Sequence, residues 1–175
     1  MEFVRHRVFS FAQESTRYCN YSKDKFGNEL TFIIPCWMNL IEGSYKYVGY
    51  TPVFELNNEE KTFICSQKTY QNTIDYQSPP NEENLEKIKQ ENKLFNWLYS
   101  IWNSEKSYLE DIKFGATPQQ ARSVLPNSLK TELIMTGLIS DWEHFFSLRD
   151  SNSAHPQARE LASPLHEEFK KLQLI

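Results

Sequence analysis

The chain has 175 residues, 39% of them hydrophobic and 24% charged, with a formal net charge of -4. That length supports one domain with a real core and excludes two comfortable ones. The acidic balance argues against a nucleic acid as main partner, and no run of about twenty apolar residues reads as a membrane span.

Residues 1–21 show no clear helical or strand period and end in a turn at Asn20 and Ser22. The N-terminus becomes basic at Arg5, where a signal peptide would run apolar. Residues 30–34 (LTFII) are a β-branched and aromatic run closed by Pro35, which predicts a strand. Further strands are expected at 45–50 and 62–65, with residues 57–61 as a hairpin connection, before Pro79-Pro80 breaks the chain.

The clearest helix is predicted over 82–113. Asn81 caps it, Glu82 and Glu83 suit the positive end of its dipole, and Gly115 ends it. Leu85, Ile88, Phe95, Leu98, Trp102, Leu109 and Ile112 recur at threes and fours, an apolar face that reads as core packing. Thr117-Pro118 opens a short helix that Pro126 closes. Residues 129–136 alternate as a strand ended by Gly137.

Ser140-Asp141-Trp142-Glu143 then reads as a capping box for a helix reaching about Arg149. A last helix over about 156–172 contains Pro164, which predicts a kink or a restart. Strands interleaved with helices, without a regular βαβ cadence, give a single α+β domain spanning 1–175: a sheet with packed helices. Cys19, Cys36 and Cys65 are odd in number and too far apart for a paired motif, so structural thiols in a reducing cytoplasm and no metal are expected.

Arg5, His6, Arg7, Ser15 and Arg17 put three cations and a histidine between residues 5 and 17 of an acidic protein. Such a local cluster suits an anionic ligand, because the planar guanidinium makes paired, charge-assisted bonds to phosphate. Gln13, Ser15 and Thr16 add neutral groups suited to the edge of a heterocycle. Arg122 and Arg149 lie in aromatic or small-residue surroundings with few adjacent acids. Taken singly, each has a plain reading: a solvated face for the triplet, a helix cap for Arg122, a favourable C-terminal charge for Arg149.

Three blocks in order change the balance. RHRVFSFAQESTRY resembles the signature of the flavin-dependent thymidylate synthases (the ThyX type): RHR, seven residues, Ser, one residue, Arg. Residues 117–126 (TPQQARSVLP) resemble that family's QAR-x-x-LP block, and residues 131–149 (TELIMTGLISDWEHFFSLR) its TG…W-x-x-F-x-x-LR block.

The resemblance implies a thymidylate synthase-complementing protein-like fold and conversion of dUMP to dTMP. Methylenetetrahydrofolate would be the carbon donor, and FAD, reduced by NADPH, the hydride carrier. It implies Arg149 as the catalytic arginine, facing the pyrimidine and favouring N3 ionisation. Glu2, Phe3, Val4, Arg5, Gln13, Glu14, Ser15, Thr16, Arg17 and Arg122 would complete the dUMP site. Arg5, His6, Arg7, Gln13 and His144 would contact FAD. Ser15 invites a nucleophile reading, but no local pattern supplies a base, so positioning of substrate is its expected role. The family further implies a cytoplasmic homotetramer with shared active sites and a folate partner.

Three departures stand beside this. The triplet begins at the fifth residue, where the family has a substantial preceding segment, so an N-terminally shortened chain or a misplaced start is expected. Leu138 and Ser140 stand where the family often has Asn and Arg, which leaves flavin contacts there in doubt. Ser153-Ala154 falls where the family has His-Ala, with His155 one residue later. Residues 23–80 are longer than the family suggests, and no role is assigned to them. Two alternatives remain: a truncated, catalytically silent relative that binds nucleotide or assembles, and, least favoured by charge, a small nucleic-acid module.

Overall fold

The computed structural model describes residues 3–23, 30–40, 44–49, 52–57, 64–66 and 82–175. After a 3-10 turn at Phe3–Arg5, strand β1 (Ser10–Gln13) pairs antiparallel with β5 (Leu133–Thr136), in register from Ser10↔Thr136 to Gln13↔Leu133. Strands β2 (Ser44–Gly49), β3 (Pro52–Asn57) and β4 (Ile64–Ser66) form a separate antiparallel meander. Helix α1 is Glu82–Lys113, α2 is Pro118–Ala121, α3 is Ile139–Arg149 and α4 is Pro156–Lys171. The α+β expectation holds at that level.

Several boundaries differ from the sequence reading, each for a physical reason. Strand β1 falls in the stretch without a visible period. Four residues are too few to display alternation, and a partner more than a hundred residues away makes the strand. Residues 30–34 are not a strand: Phe32 forms an isolated bridge with Leu129, flanked by Ile33 N–H to the Ser128 carbonyl and Lys130 N–H to the Thr31 carbonyl, both 2.8 Å. The predicted strand at 62–65 is Ile64–Ser66, and β3, which begins on Pro52, was not anticipated. Asn57 closes β3, whereas the rest of the expected hairpin connection, Pro79-Pro80 and Asn81 lie outside the described residues.

Helix α1 stops as expected. Gly115 adopts φ 94°, and its N–H reaches the Ile112 carbonyl while that of Ala116 reaches Asp111, a Schellman closure that a side chain would strain. At α2 the Gln120 Oε1 accepts from the Thr117 N–H at 2.8 Å. The expected capping box at Ser140 is not formed. Helix α3 starts at Ile139, and the Asp141 carboxylate accepts from the Leu138 N–H at 3.1 Å, which leaves Ser140 inside the first turn. Helix α4 runs through Pro164 without a restart. Pro164 and Glu160, whose carbonyl loses its helical donor, are both exposed, so water can replace the missing bond.

Three aromatic-rich clusters hold these elements. Phe9, Phe145, Phe146 and Ala162 join β1, β5, α3 and α4, with Phe3, Trp142 and Phe169 around them. Tyr21, Leu30, Tyr108 and Ala121 tie the segment after β1 to α1 and α2. Phe95 and Leu98 form a third cluster along α1 with Leu40, Trp97 and Trp102. Burial of each large side chain contributes about 2–3 kcal/mol. From Phe95 onward, the apolar face read along α1 therefore divides between two of the clusters.

Candidate functional site

The strand pair β1–β5 organises the site. At one end of β1 the chain leads back to His6, and at the other it runs into Thr16 and Arg17. His6 is buried, 7% exposed, between exposed Arg5 and Arg7. Its ring lies 5.0 Å from that of Phe145 and 6.2 Å from that of Phe9. Arg149, half-buried at the end of α3, donates from Nε to His6 Nε2 at 2.8 Å. A guanidinium can only donate, so His6 Nε2 accepts and the ring proton sits on Nδ1. This bond engages the Nε edge of Arg149 and orients its guanidinium.

The second group follows β1. Arg122, where α2 passes into a 3-10 turn, donates from Nη1 to Thr16 Oγ1 at 3.2 Å. Arg17 donates from Nε to Gln119 Oε1 at 3.1 Å, and its guanidinium lies 5.2 Å from the Tyr18 ring centroid. Both arginines are exposed, and each keeps N–H groups beyond those bonds. Beneath them the loop is fixed by backbone bonds: the Ser15 carbonyl accepts from the N–H groups of Tyr18 and Cys19. Tyr108, fully buried on α1, accepts from the Tyr21 N–H at 3.4 Å and donates to the Cys19 carbonyl at 3.3 Å. Burial, then the charges of Glu14, Cys19 and Tyr108, pushes the Tyr21 hydroxyl up to about 12.

The remaining predicted residues are placed as follows. Gln13 Nε2 donates to Thr131 Oγ1 at 3.4 Å, and Glu14 Oε1 accepts from the Cys19 thiol at 3.3 Å. Among the described residues, no histidine or carboxylate bonds the Ser15 hydroxyl. Phe3 packs on Phe145 at 5.5 Å, whereas Val4 is exposed. His144 is exposed on α3, and Glu2 lies outside the described residues. Arg149 and His6 are thus brought together, and separately Thr16, Arg17 and Arg122. Gln119 and Phe145, which hold Arg17 and His6, lie within the sequence blocks, and the resemblance implies no role for them. Their only signal was position: one turn or less from an assigned residue.

The glycine of the third block also acquires a reason. A Cβ on Gly137 would stand 2.6 Å from Phe9 Cδ1, so only glycine lets the end of β5 approach that ring.

The domain is thus a mixed strand-and-helix fold in which two arginine groups flank one strand pair. The family model described as thymidylate synthase complementing protein matches residues 1–173, and this chain belongs to that family. It is 31% identical over 171 residues to the flavin-dependent thymidylate synthase of Pyrococcus abyssi (strain GE5 / Orsay), covering 97% of this chain and 49% of that protein. The protein of the same name from Pyrococcus furiosus is 25% identical over the same length, again 97% and 49%. The probable flavin-dependent thymidylate synthase of Paramecium bursaria Chlorella virus 1 is 27% identical over 122 residues, 70% of this chain and 53% of that one. The chain spans about half the length of these relatives. Among the described residues, no helix is long and apolar enough to cross a membrane.

Proposed function

We propose that this chain takes part in flavin-dependent methylation of dUMP to dTMP, with methylenetetrahydrofolate as carbon donor and FAD and NADPH as the reducing system. One observation carries the reading. The three sequence blocks that resemble the family are the ones joined by β1–β5 pairing, by Thr16–Arg122 and Arg17–Gln119, and by His6–Arg149.

The donor set suits both ligands. Arg17 and Arg122 are exposed, hold only neutral partners through these bonds, and suit the phosphate of dUMP. Gln13, Glu14, Ser15 and Thr16, with Glu2, Phe3, Val4 and Arg5, line the nucleoside, and Ser15 positions it. Arg5 and Arg7, exposed on either side of buried His6 in sequence, suit the pyrophosphate of FAD. His6, Gln13 and His144 complete that side. When bound, FAD supplies the hydride for the methyl group. Arg149 stabilises the charge that develops on the O4 and N3 side of the pyrimidine, worth about 3–4 kcal/mol. Exposed Ile134 and Leu138 give a cytoplasmic homotetramer with shared sites an apolar surface to cover.

The test is release of the C5 proton of dUMP, dependent on NADPH and folate, by a yellow purified protein. Arg149→Ala should lower turnover by about a hundredfold or more while FAD stays bound. Equal loss of both would remove Arg149 from this role. A colourless protein that FAD does not reconstitute, yet which binds dUMP, would instead be the catalytically silent relative.

A further inference from the structure

Asp150 follows Arg149 directly and caps α3, its N–H bonded to the Phe146 carbonyl at 2.9 Å. Both of its carboxylate oxygens are taken by α4. The Ser163 hydroxyl donates to Oδ1, and His166 Nδ1 donates to Oδ2 at 2.7 Å. Ser163 and His166 are three residues apart, hence on one helix face. The His166 ring also stacks on Phe146, with centroids 4.5 Å apart and planes 8° from parallel. The last turn of α3, which carries Arg149, is therefore held to α4 by two polar bonds and one ring contact.

A helix end is the place where order is cheapest to lose, because its final carbonyls lack intrahelical donors. Arg149 is the last residue of α3. Its 2.8 Å bond to His6 survives only while its Cα stays in place, since a displacement of about 1 Å takes a hydrogen bond out of range. His6 fixes the guanidinium, and something else must fix the backbone.

We propose that Asp150, with Ser163 and His166, is a positioning device for Arg149, holding its backbone so that the guanidinium meets the pyrimidine in one orientation. The functional half of this statement rests on the dUMP reading above; the structural half does not.

The experiment separates the two. Side-chain 15N NMR of the 175-residue chain reports the Arg149 Nε–H directly, and titration with dUMP reports the site. His166→Phe keeps a ring on Phe146 but removes the donor to Asp150. It should broaden the Arg149 Nε–H signal and weaken dUMP binding about tenfold, the loss expected of one misplaced charged hydrogen bond. Asp150→Asn, which keeps an acceptor for Ser163, should produce a smaller change of the same kind, and it decides the matter if His166→Phe does not fold. A folded variant with the wild-type Nε–H signal and wild-type dUMP affinity overturns the proposal. A wild-type chain with an ordered Nε–H signal but no dUMP binding overturns the nucleotide reading, and the effect of the variants on that signal still judges the positioning.

Discussion

The two arginine groups on either side of β1 are held in opposite ways. Arg149 is half-buried, bonded to a histidine that is itself buried against Phe145 and Phe9. Arg17 and Arg122 are exposed and tethered by a glutamine and a threonine. Away from water a hydrogen bond is stronger and a misplaced polar group costs more, so the first arrangement fixes one geometry. The second leaves two cations adjustable and screened. That contrast matches the two tasks proposed for them: charge developing at a defined ring edge needs a fixed donor, whereas a phosphate accepts several approaches.

The largest effect should come from removing the ring that supports the fixed side. Phe145 is 2% exposed and touches Phe3, His6, Trp142 and Phe146. Phe145→Ala should cost about 3–5 kcal/mol in denaturant unfolding. At denaturant-free conditions it should also disorder Arg149 while leaving the affinity for inorganic phosphate near wild type. Should phosphate affinity fall with it, the two groups are one unit and the contrast is broken. Gly137→Ala comes next, because the new methyl must displace the Phe9 ring from 2.6 Å. A loss of about 1–3 kcal/mol is expected, and an unchanged unfolding midpoint would mean that Phe9 turns aside freely.

Legibility in the sequence followed the same divide. Helix α1 and its Gly115 stop were readable because a long apolar period and a terminal glycine are local signals. Strand β1 was not, because nothing in SFAQ announces a partner near residue 134. The start of α3 was misread at Ser140 because two adjacent residues offer capping chemistry and Asp141, three past Leu138, wins the amide. For the proposed site, block patterns single out Arg17, Arg122, Arg149 and His6. That His6 is bonded to Arg149, and that Asp150 is bonded to α4, depends on contacts across the fold that no spacing encodes.

The exposed group should respond quite differently to truncation. Arg122→Ala and Arg17→Ala remove side chains that bury little, so each should shift stability by no more than about 0.5 kcal/mol. Each should nonetheless weaken dUMP binding by about tenfold, with a shallower dependence on salt. Arg122→Lys should recover only part of that loss, since an ammonium lacks the fork. Calorimetric titration at two salt concentrations measures all three. Full recovery by lysine would show that charge alone matters there, which would sharpen the picture of an adjustable group.

The smallest effects lie in pH, and they separate the two regions by sign. Hydrogen bonds from Ser163 and then His166 hold the Asp150 carboxyl below its usual range. The folded state thus favours the ionised form. Its contribution is complete above the unfolded value of about 3.9 and is lost as pH falls through the lower folded value. Tyr21 is the reverse case. Burial raises its hydroxyl to about 12, and burial likewise raises Tyr108. The folded state favours both neutral forms, so their contribution is complete below about 10 and drains away as pH rises through the folded values. An ionised Tyr108 also loses the proton it gives to the Cys19 carbonyl. Acid should therefore release the end of α3 first and alkali the loop that carries Arg17. Amide exchange at Asp150 and Cys19, followed at both extremes, checks this, and simultaneous opening of both amides at either extreme would mean that the two regions unfold as one.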